Sequence, residues 1–421
     1  MDVYCPRDWG PLLMTPDLAA SPVAESRRIA SIDVLRGLAL LGILVLNVQT
    51  FAMPFEAYGN AYGYGNIEGS NYWVFTFSML LGDMKFMAIF SMLFGAGLVL
   101  FIERLQETGR PAYAIHYRRM LWLLALGLLH AYLIWYGDIL VTYALSGMIV
   151  VWCRRLPPWL LLIGGLCVIS VCSVLMLGSG VMISEFAPEK IAMFGPDSPE
   201  RMASIQSQVD AYSGSWANQM PHRIMASMSV QTSGFLLFLF WRAAGLMLVG
   251  MALYRWGVFS AKRSSRFYLG MLGLGVLVGL PIVAIGLKTA WSVDWHPFKV
   301  KFMISQFNYW GSILVAFGWI GLVMLLVRSG MARWFQHALA SVGRMALSNY
   351  LLQSILCTFI FYGHGLGQFG SWDRTEQMLL VLGLSVAQLI WSPLWLAAFR
   401  FGPAEWLWRS LTYWTRQPMR G

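Results

Sequence analysis

The chain has 421 residues and a formal net charge of +10, with 58% hydrophobic and only 12% charged residues and a mean hydropathy of +0.60. Soluble domains carry about twice that charged fraction. These values exclude a soluble globule, a disordered chain, a coiled coil and a disulfide scaffold, and they leave a polytopic membrane protein.

The first 30 residues are polar, carry Pro6, Pro11, Pro16 and Pro22, and read as a loosely ordered tail. They lack the apolar core and small-residue cleavage site of a signal peptide. Ten apolar stretches follow, at about 32–52, 72–102, 118–136, 139–153, 158–182, 231–254, 267–287, 304–327, 342–362 and 376–399. Crossing ~30 Å of hydrocarbon takes ~20 apolar residues, and only helices or closed barrels satisfy the backbone there. The expected fold is therefore all-α: a bundle of about ten transmembrane helices over residues 31–400, with 401–421 as a C-terminal tail. The second stretch is too long for one helix and holds Gly82-Asp83-Met84-Lys85. It divides into an approach segment at 72–82 and a span at 85–102, or else forms a re-entrant half-helix. The fourth stretch is short.

With the N-terminus placed in the cytoplasm, 20 Lys and Arg residues fall in inside segments, 7 in outside segments, and Arg36, Lys85 and Arg242 within spans. Such a bias is the positive-inside pattern and predicts both termini in the cytoplasm. It also accounts for the basic balance through anionic headgroups, without nucleic acid. Two outside segments are long, 53–71 and 183–230. In the second, Ser198-Pro199-Glu200 forms a helix start, since Ser caps, Pro fits the first turn and Glu meets the dipole. That helix should run to about Tyr212, stop near Ser213-Gly214, and form part of a lid over the outer mouth.

None of the five cysteines lies in an outside segment, so no disulfide is expected. No CxxC or His/Cys cluster supports a metal site. The glycines of Phe94-Gly95-Ala96-Gly97 and of the seventh stretch read as helix-packing positions.

Ionisable groups inside a membrane are costly and point to function. Asp33 and Arg36 open the first span three residues apart, hence on one face. They are either a structural ion pair, the favoured reading, or an anchor for an anionic ligand. His130 in the third span lies ~17–18 Å along the axis from the Arg118–Arg119 end. It can pass a proton, attack an acyl carbonyl, or be a packed contact. Asp138, in the Tyr136-Gly137-Asp138 hairpin, caps the fourth helix. With Tyr143 on that helix, it places His130, Asp138 and Tyr143 around one outward-facing vestibule. Arg242 sits midway through the sixth span, where it needs a carboxylate, carbonyls or a bound anion. Lys85 is similar but nearer water. Asn349 and Gln353 share a face and read as interhelical hydrogen-bonding groups, as do Asn47 and Gln49.

The blocks RIASIDVLRGLALLGILVLNVQTF, RRMLWLLALGLLHAYLIWYGDILVTYALSGMIV, SVGRMALSNYLLQSIL and FGPAEWLWRSLTYW resemble those of the YeiB family of bacterial inner-membrane proteins, over residues 27–414. The first block is shared with the wider transmembrane acyltransferase superfamily. The resemblance implies a multi-pass protein of the bacterial inner membrane that takes acyl-CoA from the cytoplasm and passes the acyl group to an extracytoplasmic acceptor. The intramembrane histidine of that superfamily falls on His130, and Arg36 falls in its opening Asp-x-x-Arg block. Asp138 or Tyr143 would orient His130, and Arg36 with Arg242 would hold the phosphate or thioester end of the donor. The acceptor, a small molecule, glycan or lipid, is not specified, and homo-oligomerisation is left open. The rival reading is a transporter or a lipid- or anion-handling protein, with Arg242 on an anionic substrate and His130 relaying protons.

Overall fold

The computed structural model describes residues 29–195 and 197–420. The N-terminal tail expected at 1–30 lies almost wholly outside them. Among the described residues every regular element is helical. In chain order the α-helices are α1 (Ala30–Ala52), α2 (Ser70–Phe77), α3 (Lys85–Glu107), α4 (Ala112–Leu133), α5 (Leu140–Val150), α6 (Pro158–Phe186), α7 (Pro199–Ser213) and α8 (Trp216–Ser229). They continue with α9 (Phe240–Arg255), α10 (Ser265–Leu274), α11 (Leu280–Ser292), the single turn α12 (Pro297–Lys299), α13 (Ser305–Ser329), α14 (Arg333–Arg344), α15 (Ala346–Phe361), α16 (Arg374–Ala398) and α17 (Pro403–Tyr413).

Seven continuous helical stretches among the described residues are long and apolar enough to cross a membrane: 30–52, 70–107, 158–186, 216–255, 265–292, 297–329 and 374–398. The chain is thus a multi-pass membrane protein. The third, fourth and ninth expected stretches are helical too, as α4, α5 and α15, but fall outside that set. The fourth is only 11 residues of α-helix, and α15 is a shorter apolar helix.

The helices sort by what surrounds them. In α9 every residue from Arg242 to Leu253 is buried, because α3 and α6 pack against it. The α3 and α9 backbones approach closely where Gly95 faces the Met247 carbonyl and Gly250 faces that of Met92, the packing that small residues permit between membrane helices. By contrast, only 17% of the apolar window of α16 is buried, which leaves Leu379, Leu382, Val386, Ile390 and Leu394 exposed to a lipid phase.

Two boundaries differ from the sequence reading. The ninth stretch, expected to begin at 342, begins in α14 and breaks at Met345. α14 buries Ala338, Leu339, Val342 and Gly343 against α1 and exposes Trp334. The sixth stretch begins at Trp216, not 231, because α8 runs through a π-helical segment at 230–239 into α9. The second stretch divides as expected. A π-helical segment at 78–82 ends α2, Met84 takes a left-handed φ of 63°, and α3 starts at Lys85.

The charges at that break, Asp83 and Lys85, are satisfied by Met79, by Tyr58 and by Asn308 of α13. Lys85 Nζ donates to the Met79 carbonyl and to Asn308 Oδ1, both at 2.6 Å. Asn308 Nδ2 donates to Asp83 (2.6 Å), and Tyr58 Oη donates to the other Asp83 oxygen (2.9 Å). One amide thus bridges two buried charges.

The segment 183–230 packs over the end of the bundle where α4 stops. Ser198 accepts from the Arg201 N–H and caps α7, which ends at Ser213 as expected. Gln208 accepts the Phe55 N–H, Arg223 and Trp216 donate to the Leu133 carbonyl, and Ser227 donates to that of Ala131. Tyr212 is buried on Tyr362 (ring centroids 4.6 Å).

Candidate functional site

α4 ends at Leu133, and the chain turns through Trp135, which is buried and stacked on Phe51 with centroids 4.1 Å apart. Gly137 completes the turn, since a Cβ there would lie 2.3 Å from the Trp135 ring. The turn brings Asp138 back beside α4. One carboxylate oxygen accepts the Val141 N–H (2.8 Å), in the first turn of α5, and the other accepts from His130 Nδ1 (2.8 Å). Asp138 therefore caps one helix and orients the histidine of another. Both side chains are 1% exposed. The other ring nitrogen, His130 Nε2, is a buried atom with no hydrogen-bond partner among the described residues.

Tyr143 is not part of this pair. Its hydroxyl shares a hydrogen bond with Ser91 (3.0 Å), and its ring packs on Phe90 and Phe94. Beside the dyad Trp135, Tyr136 and Tyr212 are buried, with the Trp135 ring 6.2 Å from that of His130 and Tyr136 stacked on Tyr212.

Tyr143 instead lines a cavity of about 210 Å³. Ile139, Leu140, Tyr143 and Tyr350 line it near the dyad, and the Tyr350 ring is 5.0 Å from that of His130. Phe90, Leu93, Phe94, Leu98 and Leu123 form an apolar middle. Arg36, His116, Arg119, Arg344 and Glu405 line it towards the basic end of α4. His116 and His130 are about 21 Å apart along α4 at ~1.5 Å per residue. The cavity thus joins a cationic end to the neighbourhood of the dyad through an apolar passage.

Arg36 forms the expected ion pair with Asp33 (2.9 Å) while lining the cavity. The Arg119 guanidinium stands between the Phe101 and Trp408 rings, 4.4 and 4.5 Å from their centroids. Glu405, from the tail helix α17, accepts from the N–H groups of Leu347 (2.6 Å) and Ser348 (3.1 Å). Burial pushes its carboxyl up, and the hydrogen bonds from Ser348 and the backbone oppose that rise. Arg119, His116 and Glu405 were not singled out from the sequence. The first two sit beside a span end, where charge is ordinary, and the partners of Glu405 are 57 and 58 residues away.

Arg242 is not brought to this cavity. It donates to the Tyr309 carbonyl (2.9 Å) and to Ser312 Oγ (2.7 Å) and lies over the Tyr309 ring. Its partners are a carbonyl and a hydroxyl of α13, not a carboxylate, which makes it a helix-helix contact. Asn349 and Gln353 bond across to α16 as expected, through Ser392 and Gln388. The described cysteines are all free.

The model of a family described as "Protein of unknown function (DUF418)" matches residues 253–415. Over 393 residues the chain is 33% identical to the Escherichia coli (strain K12) protein named "Uncharacterized protein YeiB", covering 91% of this chain and 96% of the relative. It is 31% identical over 413 residues to "Uncharacterized protein YxaH" of Bacillus subtilis (strain 168), covering 94% and 97%. A third relative, the "Uncharacterized 39.9 kDa protein in amylase 3'region" of Bacillus acidopullulyticus, is 27% identical over 399 residues.

Proposed function

The chain belongs to the YeiB family, and from that premise we propose that it is an acyltransferase of the bacterial inner membrane with ten spans and both termini in the cytoplasm. In this reading acyl-CoA enters the cavity from the cytoplasmic, arginine-lined end, and the acyl group passes to an acceptor on the far side. The observation that carries the reading is the buried His130–Asp138 pair, with Nε2 lacking a partner, beside Tyr350, which lines an apolar cavity that Arg36 and Arg119 also line.

The chemistry follows from the tautomer. Asp138 accepts the Nδ1 proton and holds the ring, so Nε2 acts as general base. An acceptor hydroxyl or amine gives its proton to Nε2, and its oxygen or nitrogen bonds to the acyl carbon. The carbon–sulfur bond breaks, and the thiolate leaves with the proton returned from His130. Arg36 and Arg119 suit the phosphates, since guanidinium groups match phosphate geometry. Tyr143, Phe90 and Phe94 line the apolar stretch along which the thioester end would lie. No role remains for Arg242 in holding the donor, and no metal enters the scheme.

The test is a melting experiment on the purified protein with acyl-CoA. Ligand at about 100 times its Kd should add ~2.7 kcal/mol of stability. No shift with any acyl-CoA, alongside a shift with another anion, would favour transport.

One observation favours that second reading. The helix broken at 78–84, with Asp83 and Lys85 bridged by Asn308, has the form of discontinuous helices that hold coupling ions. It lies apart from the cavity, and His130 would then relay protons.

A further inference from the structure

α17 forms one wall of the cavity with Glu405 and Trp408. Glu405 sits where two helix N-termini meet. The Leu347 and Ser348 N–H groups, in the first turn of α15, donate to Oε1, and Ser348 Oγ donates to Oε2. The same Ser348 Oγ accepts the Ala404 N–H (2.9 Å), from the first turn of α17. N–H groups with no partner within their own helix and two positive dipole ends converge there, which is the chemistry of a phosphate seat. The seat opens on a cavity that Arg36, Arg119 and His116 also line. The His116 side chain is fully buried, and its Nδ1 has no partner. The fit around the carboxylate is close, since a Cβ on Gly402 would lie 2.2 Å from Glu405 Oε2.

We propose that the Glu405 carboxylate is an internal occupant of an anion seat, and that a phosphate-bearing ligand entering the cavity displaces it and unlatches α17. The identity of that ligand as acyl-CoA rests on the proposed function, whereas the seat does not. Two anions at ~4 Å repel, so ligand phosphate and Glu405 exclude one another. Glu405 is the one carboxylate among the cavity's lining residues. The other attachments of α17 run to α4. Trp408 Nε1 donates to the Arg119 carbonyl (2.9 Å), and Arg118 donates to that of Thr412. The tail helix thus bridges α15 and α4 beside the cationic end, and Arg119 leaves its ring stack on Trp408 when it turns to a phosphate.

The experiment uses full-length wild type, Glu405→Gln and Ser348→Ala, with pyrophosphate and acetyl-CoA as probes. Affinities are measured by calorimetry and the protection of residues 403–413 by hydrogen exchange. Glu405→Gln should bind pyrophosphate about 10-fold more tightly, equivalent to ~1.4 kcal/mol. Ser348→Ala should move the same way by less, and saturating probe should speed exchange in wild-type α17. Unchanged or weaker binding by Glu405→Gln, or unchanged exchange at saturation, overturns the latch. Should Glu405→Gln fail to fold, Ser348→Ala and the wild-type exchange decide. Tighter pyrophosphate binding with no binding of acetyl-CoA or longer thioesters keeps the latch and sinks the acyl-donor reading. Equal acetyl-CoA binding by all three proteins keeps that reading and sinks the latch.

Discussion

Replacing Asp138 by Asn separates its two duties. The Asn carbonyl oxygen can still accept the Val141 N–H, now at 2.8 Å from the carboxylate, so the α5 cap survives. The amide NH2 then faces His130 Nδ1, which bonds the carboxylate at 2.8 Å. A donor at that place makes Nδ1 the acceptor and moves the ring proton to Nε2. The histidine is held in position but cannot accept a proton, which should lower acyl transfer by ~10²–10⁴-fold. The stability cost is the difference between a charged and a neutral hydrogen bond, about 1 kcal/mol. Asp138→Ala loses the cap, ~1 kcal/mol, and leaves buried groups unpaired at ~1–3 kcal/mol. The assay is melting temperature beside acyl transfer for both variants. An active Asp138→Asn protein, within a few-fold of wild type, would refute the tautomer argument. So would an inactive one that melts as early as Asp138→Ala.

Four further outcomes are expected. Arg119→Ala should reduce the thermal shift produced by acyl-CoA while leaving the unliganded protein near wild type, as read by melting; an undiminished shift removes Arg119 from the site. Asn308→Leu strands Lys85 and Asp83 and should cost ~3–5 kcal/mol, seen as loss of folded protein after detergent extraction; normal stability would mean the two charges pair directly. Arg242→Met should lose only ~1–3 kcal/mol, because its partners are a carbonyl and a hydroxyl, and should keep activity; a folded but inactive variant would return Arg242 to the substrate. Reporter fusions at Gly109, Ala261 and Gly421 should report cytoplasm, and those at Gly65, Ser207 and Gly370 the outside; an outside signal at Gly421 refutes ten spans.

The helical class was legible in hydropathy, and several local features in residue chemistry. Ser198-Pro199-Glu200 started a helix, Asp33 and Arg36 paired at helical spacing, and the Tyr136-Gly137-Asp138 turn returned Asp138 to His130. Local geometry determines each of these. What spacing could not reach was partnership between distant helices. Arg242 had to be satisfied, but only the packing of α9 near α13 assigns it Tyr309 and Ser312. Glu405 read as a tail residue until α17 folded back on α15. The amphipathic α14 did carry a signal, with Ala338, Leu339 and Val342 at helical spacing, but it was hidden between two strongly apolar spans. The Tyr143 hydroxyl was assigned by sequence proximity to His130, and its rotation about α5 sends it to Ser91.

The central claim is that His130 acts as the general base when an acyl group moves from acyl-CoA to an acceptor. Inverted membrane vesicles containing either wild type or His130→Ala, given acyl-labelled acyl-CoA, test it without knowledge of the acceptor. Loss of the imidazole should cost the fold no more than ~1–2 kcal/mol, so both proteins should be present in equal amount. The account predicts label fixed in CoA-free material by wild type and only background for His130→Ala. Equal labelling by the two, or wild type at the level of empty vesicles, would contradict it.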